Sequence, residues 1–594
     1  MNMLFPRLFL HPLLVVCFAN FAFGATRLPP DEVQTLADIA KKLGKTNWDF
    51  SGDPDPCNNQ KPWTDPNPTK GFEYGITCNC FLANSTVCHI TSIVMKAQDL
   101  PGTLPKEMAR LTHLENIDLT RNYLSGTIPP EWGSLPLVNI SLLGNRLTGP
   151  IPKEIGDITT LKRLDISMNI FSGELPRELG NLTLIESMLL NSNNFTGELP
   201  DTFGNLTTLK DFRVGDSHFS GQIPDFIKNW TNLEKLLIQA SGLTGPIPRG
   251  ISLLTNLTDL FLTGNLLTGP VPTWTKQNVD LSYNNFTIGD KGCQSQGGLN
   301  LFASSSKGNS SKTTCLEIQK CPQTWYSLGI NCGGKAVTVY GEKDKTFEAD
   351  TYSAGPSSFY RSTTNWALSS TGYFSDSGGL EDTLTNDDVG NLTYKLTNEI
   401  PAMANPLLYR DARLSPISLT YYGFCLENGK YTVNLHFAET VFTNGQTYKS
   451  LGRRIFDVYI QGRLVREDFN IVDEAGGIST VVIMNYTAAV TSGTLEIRFY
   501  WAGKGTTGIP LTGVYGPLIS AISADPADFE APTPTPPPPE VASSTSPGGI
   551  VGAVVGIVAG GVFIILLVFG ILWRRGLLGQ QNTLEDGIYM FMLL

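Results

Sequence analysis

Ten cysteines are the residues in this 594-residue sequence whose spacing most plainly promises chemistry. Cys17 lies in an apolar leader. The other nine form one cluster at Cys57, Cys78, Cys80 and Cys88, a second at Cys293, Cys315 and Cys321, and two isolated positions, Cys332 and Cys425. Thiols so placed bind zinc or form disulfides. Structural zinc pairs usually have about two to four residues between the ligands, whereas Cys78-x-Cys80 has a single one, and a secreted chain matures where disulfides persist. Cys57, Cys78, Cys80, Cys88, Cys332 and Cys425 are therefore disulfide candidates. Nine is odd, so at least one is expected to stay unpaired or to pair between chains, with Cys293, Cys315 and Cys321 as the candidates. Catalytic chemistry finds no comparable footing. His11, His89, His113, His218 and His436 are scattered, and no pair of carboxylates sits in a glycosidase context. No catalytic residue, metal or cofactor is expected.

Secretion is read from the N-terminus. Arg7 precedes the apolar run LFLHPLLVVCFANFAF, and Ala22-Phe23-Gly24 offers a cleavage site before Ala25. Near the other end, residues 550–573 are apolar and uncharged. As a helix they span about 36 Å, enough for a hydrocarbon core of roughly 30 Å. Arg574 and Arg575 follow at once and point to the cytoplasmic side. The expectation is a single-pass plasma-membrane protein with its N-terminus outside. Eleven N-x-S/T triplets lie between these segments, at Asn84, Asn139, Asn181, Asn194, Asn205, Asn229, Asn256, Asn285, Asn309, Asn391 and Asn485, and none follows Trp573. A net charge of -11 argues against a nucleic-acid partner, which needs clustered Lys and Arg. Gly548, Gly552, Gly556 and Gly560 recur every four residues, and Gly552, Gly556 and Gly560 fall within the membrane segment, where small residues let two helices approach closely.

The elements that would position a site follow from periodicity. Residues 31–43 read as a helix with Asp31 as N-cap and Gly44 as stop. From Ile90 a repeat of 23 or 24 residues takes over, with pattern L-x-x-L-x-L-x-x-N-x-L-x-G-x-I/L-P. Its Asn recurs at 122, 145, 169, 193, 265 and 284, while Gln98, Ser217 and Ser241 fill the same column and predict looser turns. This is the signature of a leucine-rich-repeat solenoid. One unit cannot bury its apolar face alone, but a stack can. From Ser327 the pattern changes to alternation, as in YTVNLHFAE, RRIFDVYIQG and GTLEIRFYW, which predicts an antiparallel β-sandwich. A Pro-rich stalk then leads to the membrane segment.

The stretches SLGINCGG, PLLYRDARLSPISLTYYGFCLENGKYTVNLHFAE and GRRIFDVYIQG resemble the malectin-type domain of plant leucine-rich-repeat receptor-like Ser/Thr kinases, and the domain order resembles their subfamily VIII. The expected fold is multidomain: a leucine-rich-repeat α/β solenoid, an all-β malectin-type sandwich and a single transmembrane helix. The expected boundaries are a signal peptide at 1–24, a cysteine-containing cap at 25–89, repeats at 90–286, a connecting segment at 287–326, the malectin-type domain at 327–523, a stalk at 524–549, the membrane helix at 550–573 and a tail at 574–594. The resemblance stops after Asp586, with no glycine-rich loop, His-Arg-Asp or Asp-Phe-Gly downstream. The chain is thus expected to lack kinase activity of its own.

Two sets of residues are candidates for ligand contact. Outward positions of the repeat strands, including Arg163, Asp165, Asp211, Arg213, Lys235, Gln239, Asp259 and Phe261, would line a concave face able to bind a peptide or a partner ectodomain. Asn139 lies on the same face. The resemblance also implies carbohydrate binding by the malectin-type domain, for which rings cover C–H faces and carboxylates accept hydroxyl hydrogens. Asp350, Tyr352, Tyr373 and Tyr409 are the candidates, with Tyr360 and Trp366 nearby in sequence. The expected role is a surface receptor without its own kinase, acting as co-receptor or decoy beside full-length receptor kinases reached through ectodomain or membrane helix. The alternatives are a fragment or splice form of a transmembrane receptor Ser/Thr kinase, a tether between cell wall and membrane, or an inhibitor of wall-degrading enzymes.

Overall fold

The computed structural model describes residues 28–529, apart from positions 53, 59, 82–86, 273–277, 288–298, 302–320, 341–343, 353–358, 373–382, 386–391, 395–404, 443–446, 453 and 502–514. The expected signal peptide, the membrane helix with Gly552, Gly556 and Gly560, the tail, and Tyr373, Asn84, Asn309, Asn391, Cys293 and Cys315 lie outside the described residues. Among the described residues no helix is long and apolar enough to cross a membrane.

The cap opens with helix α1, Pro30–Leu43, which buries Leu36, Ile39, Ala40 and Leu43. Asp31 is not its N-cap. Pro29 holds that position without a side-chain bond, and Asp31 sits in the first turn. Proline fixes the entry dihedral without needing a cap. Gly44 ends the helix at φ 78°, a left-handed conformation that glycine adopts without strain. Glu32 is buried. One of its oxygens lies 2.6 Å from His89 Nδ1, and the other accepts the Ile90 amide at 2.9 Å. Disulfides Cys57–Cys78 and Cys80–Cys88 clip the antiparallel pair Tyr74–Asn79 and His89–Met95, onto which the repeats stack.

Each repeat contributes a short parallel strand to an eleven-stranded sheet that begins with this cap pair. The central residues Ile117, Ile140, Leu164, Met188, Phe212, Leu236 and Leu260 point inward and are buried in register. The opposite side consists of five-residue 3₁₀ helices, not the α-helices the expected α/β class implied. A proline precedes each one, and a short repeat leaves room for little more than one tight turn. Glycine lets these turns stack: a Cβ on Gly156 would run into the backbone carbonyl of Glu178.

Between strand and side face the backbone turns at one position per repeat: Ala97, Arg121, Gly144, Met168, Ser192, Asp216, Ala240, Gly264 and Tyr283. All nine have φ between 46° and 72°. Most are not glycine, so the conformation must be held by bonding. Their amides donate to the next repeat, as Arg121 does to Leu143 O at 2.7 Å and Met168 to Asn191 O at 2.9 Å. The column Asn completes the turn. Asn169 Nδ2 donates to Leu142 O, Ile166 O and Ser167 O at 3.0–3.1 Å, and its Oδ1 accepts the Leu147 amide at 3.1 Å. Ser217 makes one such bond and Ser241 two, yet their turns keep the same handedness.

The second half is a sandwich of a seven-stranded and a six-stranded sheet with a small three-stranded one. Phe437, Phe456, Phe469 and Phe499 fill its centre, with ring centroids 4.8–6.1 Å apart. The sandwich runs past the expected boundary at 523, because strand Ala521–Pro526 completes it and Phe529 packs on Tyr431 at 5.4 Å. Cys425 pairs with Cys321, so Cys321 is not the odd cysteine. Among the described residues Cys332 is the free thiol, buried in the sandwich core, which corrects its assignment to a disulfide.

Solenoid and sandwich belong to one compact unit. Strands Trp366–Thr371 and Ser418–Gly423 of the six-stranded sheet are buried at every position, although only alternate residues face the sandwich core. Their outer face lies against the solenoid. Tyr283 bonds Thr420 at 3.0 Å and lies under the Arg498 guanidinium at 4.8 Å. Asp280 accepts the Gly372 amide at 3.2 Å, and Asp99 accepts that of Tyr448 at 2.8 Å. Met168 of the solenoid packs within the core cluster of the sandwich.

Replacing Asn169 by Ala removes four bonds and takes from the buried Leu147 amide the acceptor that Asn169 Oδ1 provides. We expect a loss of about 2–3 kcal/mol, and a smaller loss for Ser217→Ala, measured by chemical unfolding. Equal effects would contradict the special weight given to the amide.

Candidate functional site

The row expected along the concave strands is largely covered and self-paired. Asp165, Arg213, Gln239 and Phe261 are buried, which corrects their assignment to an open ligand face. Arg163 remains exposed and bonds Asp165 through Nη2 at 2.8 Å. Arg213 grips Asp211 with two bonds of 2.6–2.7 Å. Burial pushes the Asp165 carboxyl up, against the pull of Arg163 and Arg213. Lys235 and Asp259 are half-buried, and Asp259 accepts from Asn278 Nδ2 at 3.0 Å. The row therefore brings Arg163, Asp165, Asp211 and Arg213 together as a charge network beside the sandwich. Asn139 is half-buried, with Nδ2 donating to Asn116 Oδ1 at 2.5 Å. Asn181, Asn194, Asn205, Asn229, Asn256, Asn285 and Asn485 are exposed.

In the sandwich, Asp350 is not a surface carboxylate. It is fully buried and paired with Arg413, itself fully buried, at 2.7 Å. Tyr421 donates to it at 2.6 Å and the Gly333 amide at 3.1 Å. A buried carboxylate must be satisfied in this way, and here every bond comes from the protein. Burial, then the Asp350 charge, pushes the Tyr421 hydroxyl up and keeps it a donor. The same two causes push the Cys332 thiol up. Tyr409 is buried too. Its hydroxyl lies 2.9 Å from His436 Nδ1, a core contact and not a ligand contact.

What remains at the surface is an aromatic ledge. Tyr352 stacks on Tyr360 with centroids 4.2 Å apart and planes 17° from parallel, and Tyr360 leans on Trp366 at 5.7 Å. Tyr352 is 36% exposed and Phe359 39%. Glu348 lies beside them, accepting from Trp366 Nε1 at 3.0 Å and Thr364 Oγ1 at 2.5 Å. Arg413 holds the ledge to the core, since its Nη2 also donates to Tyr352 O at 2.8 Å. Asp350 thus acts on the surface through Arg413. Sequence reasoning missed Arg413, Glu348 and Phe359. The one signal for Arg413 was a charged residue between the apolar Ala412 and Leu414 in the strand DARL.

The family signature described as Malectin domain matches residues 326–522, and that described as Leucine Rich Repeat matches 113–135, 160–182 and 184–206. Over 98% of its length the chain is 48% identical to a probable leucine-rich repeat receptor-like serine/threonine-protein kinase of Arabidopsis thaliana. Over 92% of its length it is 38% identical to a second such protein from the same plant. It spans 63% and 61% of the lengths of these two relatives. Among solved structures it is similar to the Arabidopsis receptor kinase HAESA, crystallised with the peptide hormone IDA and a co-receptor, at 27% identity over 46% of each chain and a TM-score of 0.39. It is also similar to a TDR receptor, at 35% identity over 34% of this chain and 37% of that one, with a TM-score of 0.32.

His436 yields a pH prediction. Burial, then Lys345, pushes it down to about 3, whereas in the unfolded chain it titrates near about 6.5. Between those values the unfolded chain binds a proton that the folded chain refuses. Stability from this residue is complete above the upper value and falls with acidity, by at most about 1.4 kcal/mol per pH unit. Urea unfolding at pH 5 and pH 7.5 should show this loss, and His436→Gln should flatten it. An unchanged slope in the variant contradicts the assignment.

Proposed function

The chain belongs with the leucine-rich-repeat, malectin-domain proteins of the plant receptor-like kinase family, and on that premise we propose that it is a surface receptor whose ligand contact is the aromatic ledge of the malectin domain. The ligand class is an extracellular carbohydrate. The observation that carries this reading is the Tyr352–Tyr360 stack with Glu348 at its side. A pyranose presents an apolar C–H face and a rim of hydroxyls. Tyr352 and Phe359 supply exposed ring surface for the first, and the free lone pairs of Glu348 accept from the second. The buried Asp350–Arg413 pair holds Tyr352 in place before the ligand arrives, which lowers the entropic cost of binding.

The receptor sits in the plasma membrane with its N-terminus outside. Signalling passes laterally to full-length receptor kinases, for which the chain acts as co-receptor or decoy. The runner-up is that the sequence is a fragment or splice form of a transmembrane receptor Ser/Thr kinase and that the same chain continues into the enzyme. A peptide or a partner ectodomain is the second ligand class, favoured by the exposed Arg163 and the half-buried Lys235 and Asp259 of the concave strands.

A glycan array probed with the extracellular part tests the carbohydrate reading. Tyr352→Ala is expected to weaken binding about tenfold, as loss of a stacked ring worth about 1.4 kcal/mol implies, without changing the unfolding midpoint. Binding that survives Tyr352→Ala combined with Tyr360→Ala would sink the ledge as the site. An array with no binder at all would favour the peptide or partner-ectodomain class.

A further inference from the structure

The two faces that meet between solenoid and sandwich are mainly polar, with Met168 and Leu143 of the solenoid as the apolar contacts to the sandwich core. The sheet offers Ser369, Ser418, Thr420, Tyr422, Arg498 and Tyr500, and the solenoid offers Asp99, Arg121, Asp165, Asp216, Asp280 and Tyr283. Bonding across the seam is incomplete. Ser369 Oγ, Ser418 Oγ and Arg498 Nε are buried with no hydrogen-bond partner among the described residues. Arg498 lies 4.8 Å from each of three tyrosine rings, Tyr283 of the solenoid and Tyr459 and Tyr500 of the sandwich. Its stacking is therefore shared, and two of the three rings stay with it if the domains part. An apolar seam would cost its full transfer free energy on opening. Groups that water can satisfy cost far less to expose, and polar interfaces between domains behave as transient ones. The covalent connection permits the motion. Twenty residues separate Asn300 from Cys321, an extended reach of roughly 65 Å, and the Cys321–Cys425 disulfide anchors the far end to the sandwich alone.

We propose that the concave face of the solenoid is a reversible seat for the chain's own six-stranded sheet. Docked, the ectodomain occludes Asp165, Arg213, Gln239 and Phe261. Lifted, it offers them as one continuous row with Arg163, Lys235 and Asp259, a surface of mixed charge around an aromatic anchor that fits an extended peptide or the flank of another ectodomain. The ligand of the aromatic ledge plays no part in this inference, which stands or falls separately.

Carbodiimide labelling of carboxylates, read by peptide mass spectrometry on the full chain, tests the seat. In the unaltered protein Asp165 and Asp216 should label slowly relative to Asp225, which is exposed. Tyr283→Ala and, separately, Arg498→Lys should raise labelling at Asp165 and Asp216 about tenfold, equivalent to about 1.4 kcal/mol of docking free energy. Amide exchange at Leu164, Phe212 and Phe499 should not change, which separates undocking from unfolding. If one variant disturbs those core amides, the other decides. The proposal is overturned if Asp165 already labels as fast as Asp225 in the unaltered protein, for then the faces are not seated. It is equally overturned if both variants leave Asp165 and Asp216 slow, for then the seam is a permanent core.

Discussion

The turns of the solenoid point main-chain carbonyls into its buried interior, and an asparagine side chain answers them in most repeats, with Ser217 and Ser241 in the same column. That constraint organises the first half of the molecule. Asn169 reaches three carbonyls and one amide in two neighbouring repeats, so no repeat is complete without the next. The left-handed residue beside it aligns its own amide with the following strand. Nine such turns stand in one column and keep the rungs in register.

The second half depends on a different satisfaction problem, solved once. A carboxylate at zero exposure needs its charge and lone pairs matched, and Asp350 finds Arg413, Tyr421 and the Gly333 amide. The same guanidinium reaches the Tyr352 carbonyl. A core ion pair therefore sets the position of a surface ring. Such a pair contributes little net stability against an apolar replacement but much definition of geometry, which is what a stacking surface requires.

The fold was legible because repeats and alternation are written in the order of residue types. Ile117, Ile140 and Leu164 were readable as inward positions, and the sandwich from YTVNLHFAE onward. The occupancy of the outward positions was not. SLTYYG alternates like a strand with one wet face, yet all six residues are buried, because a domain 130 residues earlier in the chain covers the polar side. Asp350 and Tyr409 had the composition of a sugar site, but ring and carboxylate serve a core equally well. Which use prevails depended on Arg413 and His436, distant in sequence and with no local mark tying them to the candidates. Cys332 shows the same limit: its identity gave its chemistry, and only packing showed it free and buried among the described residues.

The bond between Cys321 and Cys425 has a mechanical meaning. A pull arriving from the repeats does not reach the sandwich at its first strand, Leu328–Asn331, where it would begin to peel the seven-stranded sheet. It enters at Cys425, just beyond strand Ser418–Gly423 of the other sheet, and Trp325 spreads it further by exchanging main-chain bonds with Cys425 and Glu427 at 2.7 and 2.8 Å. Tension between an outer anchorage and the cell would thus be carried by sulfur and by a short bridge of backbone, and it would arrive beside the aromatic ledge, since Trp366 pairs with Gly423 and the Phe424 amide donates to Asn365 O at 2.6 Å.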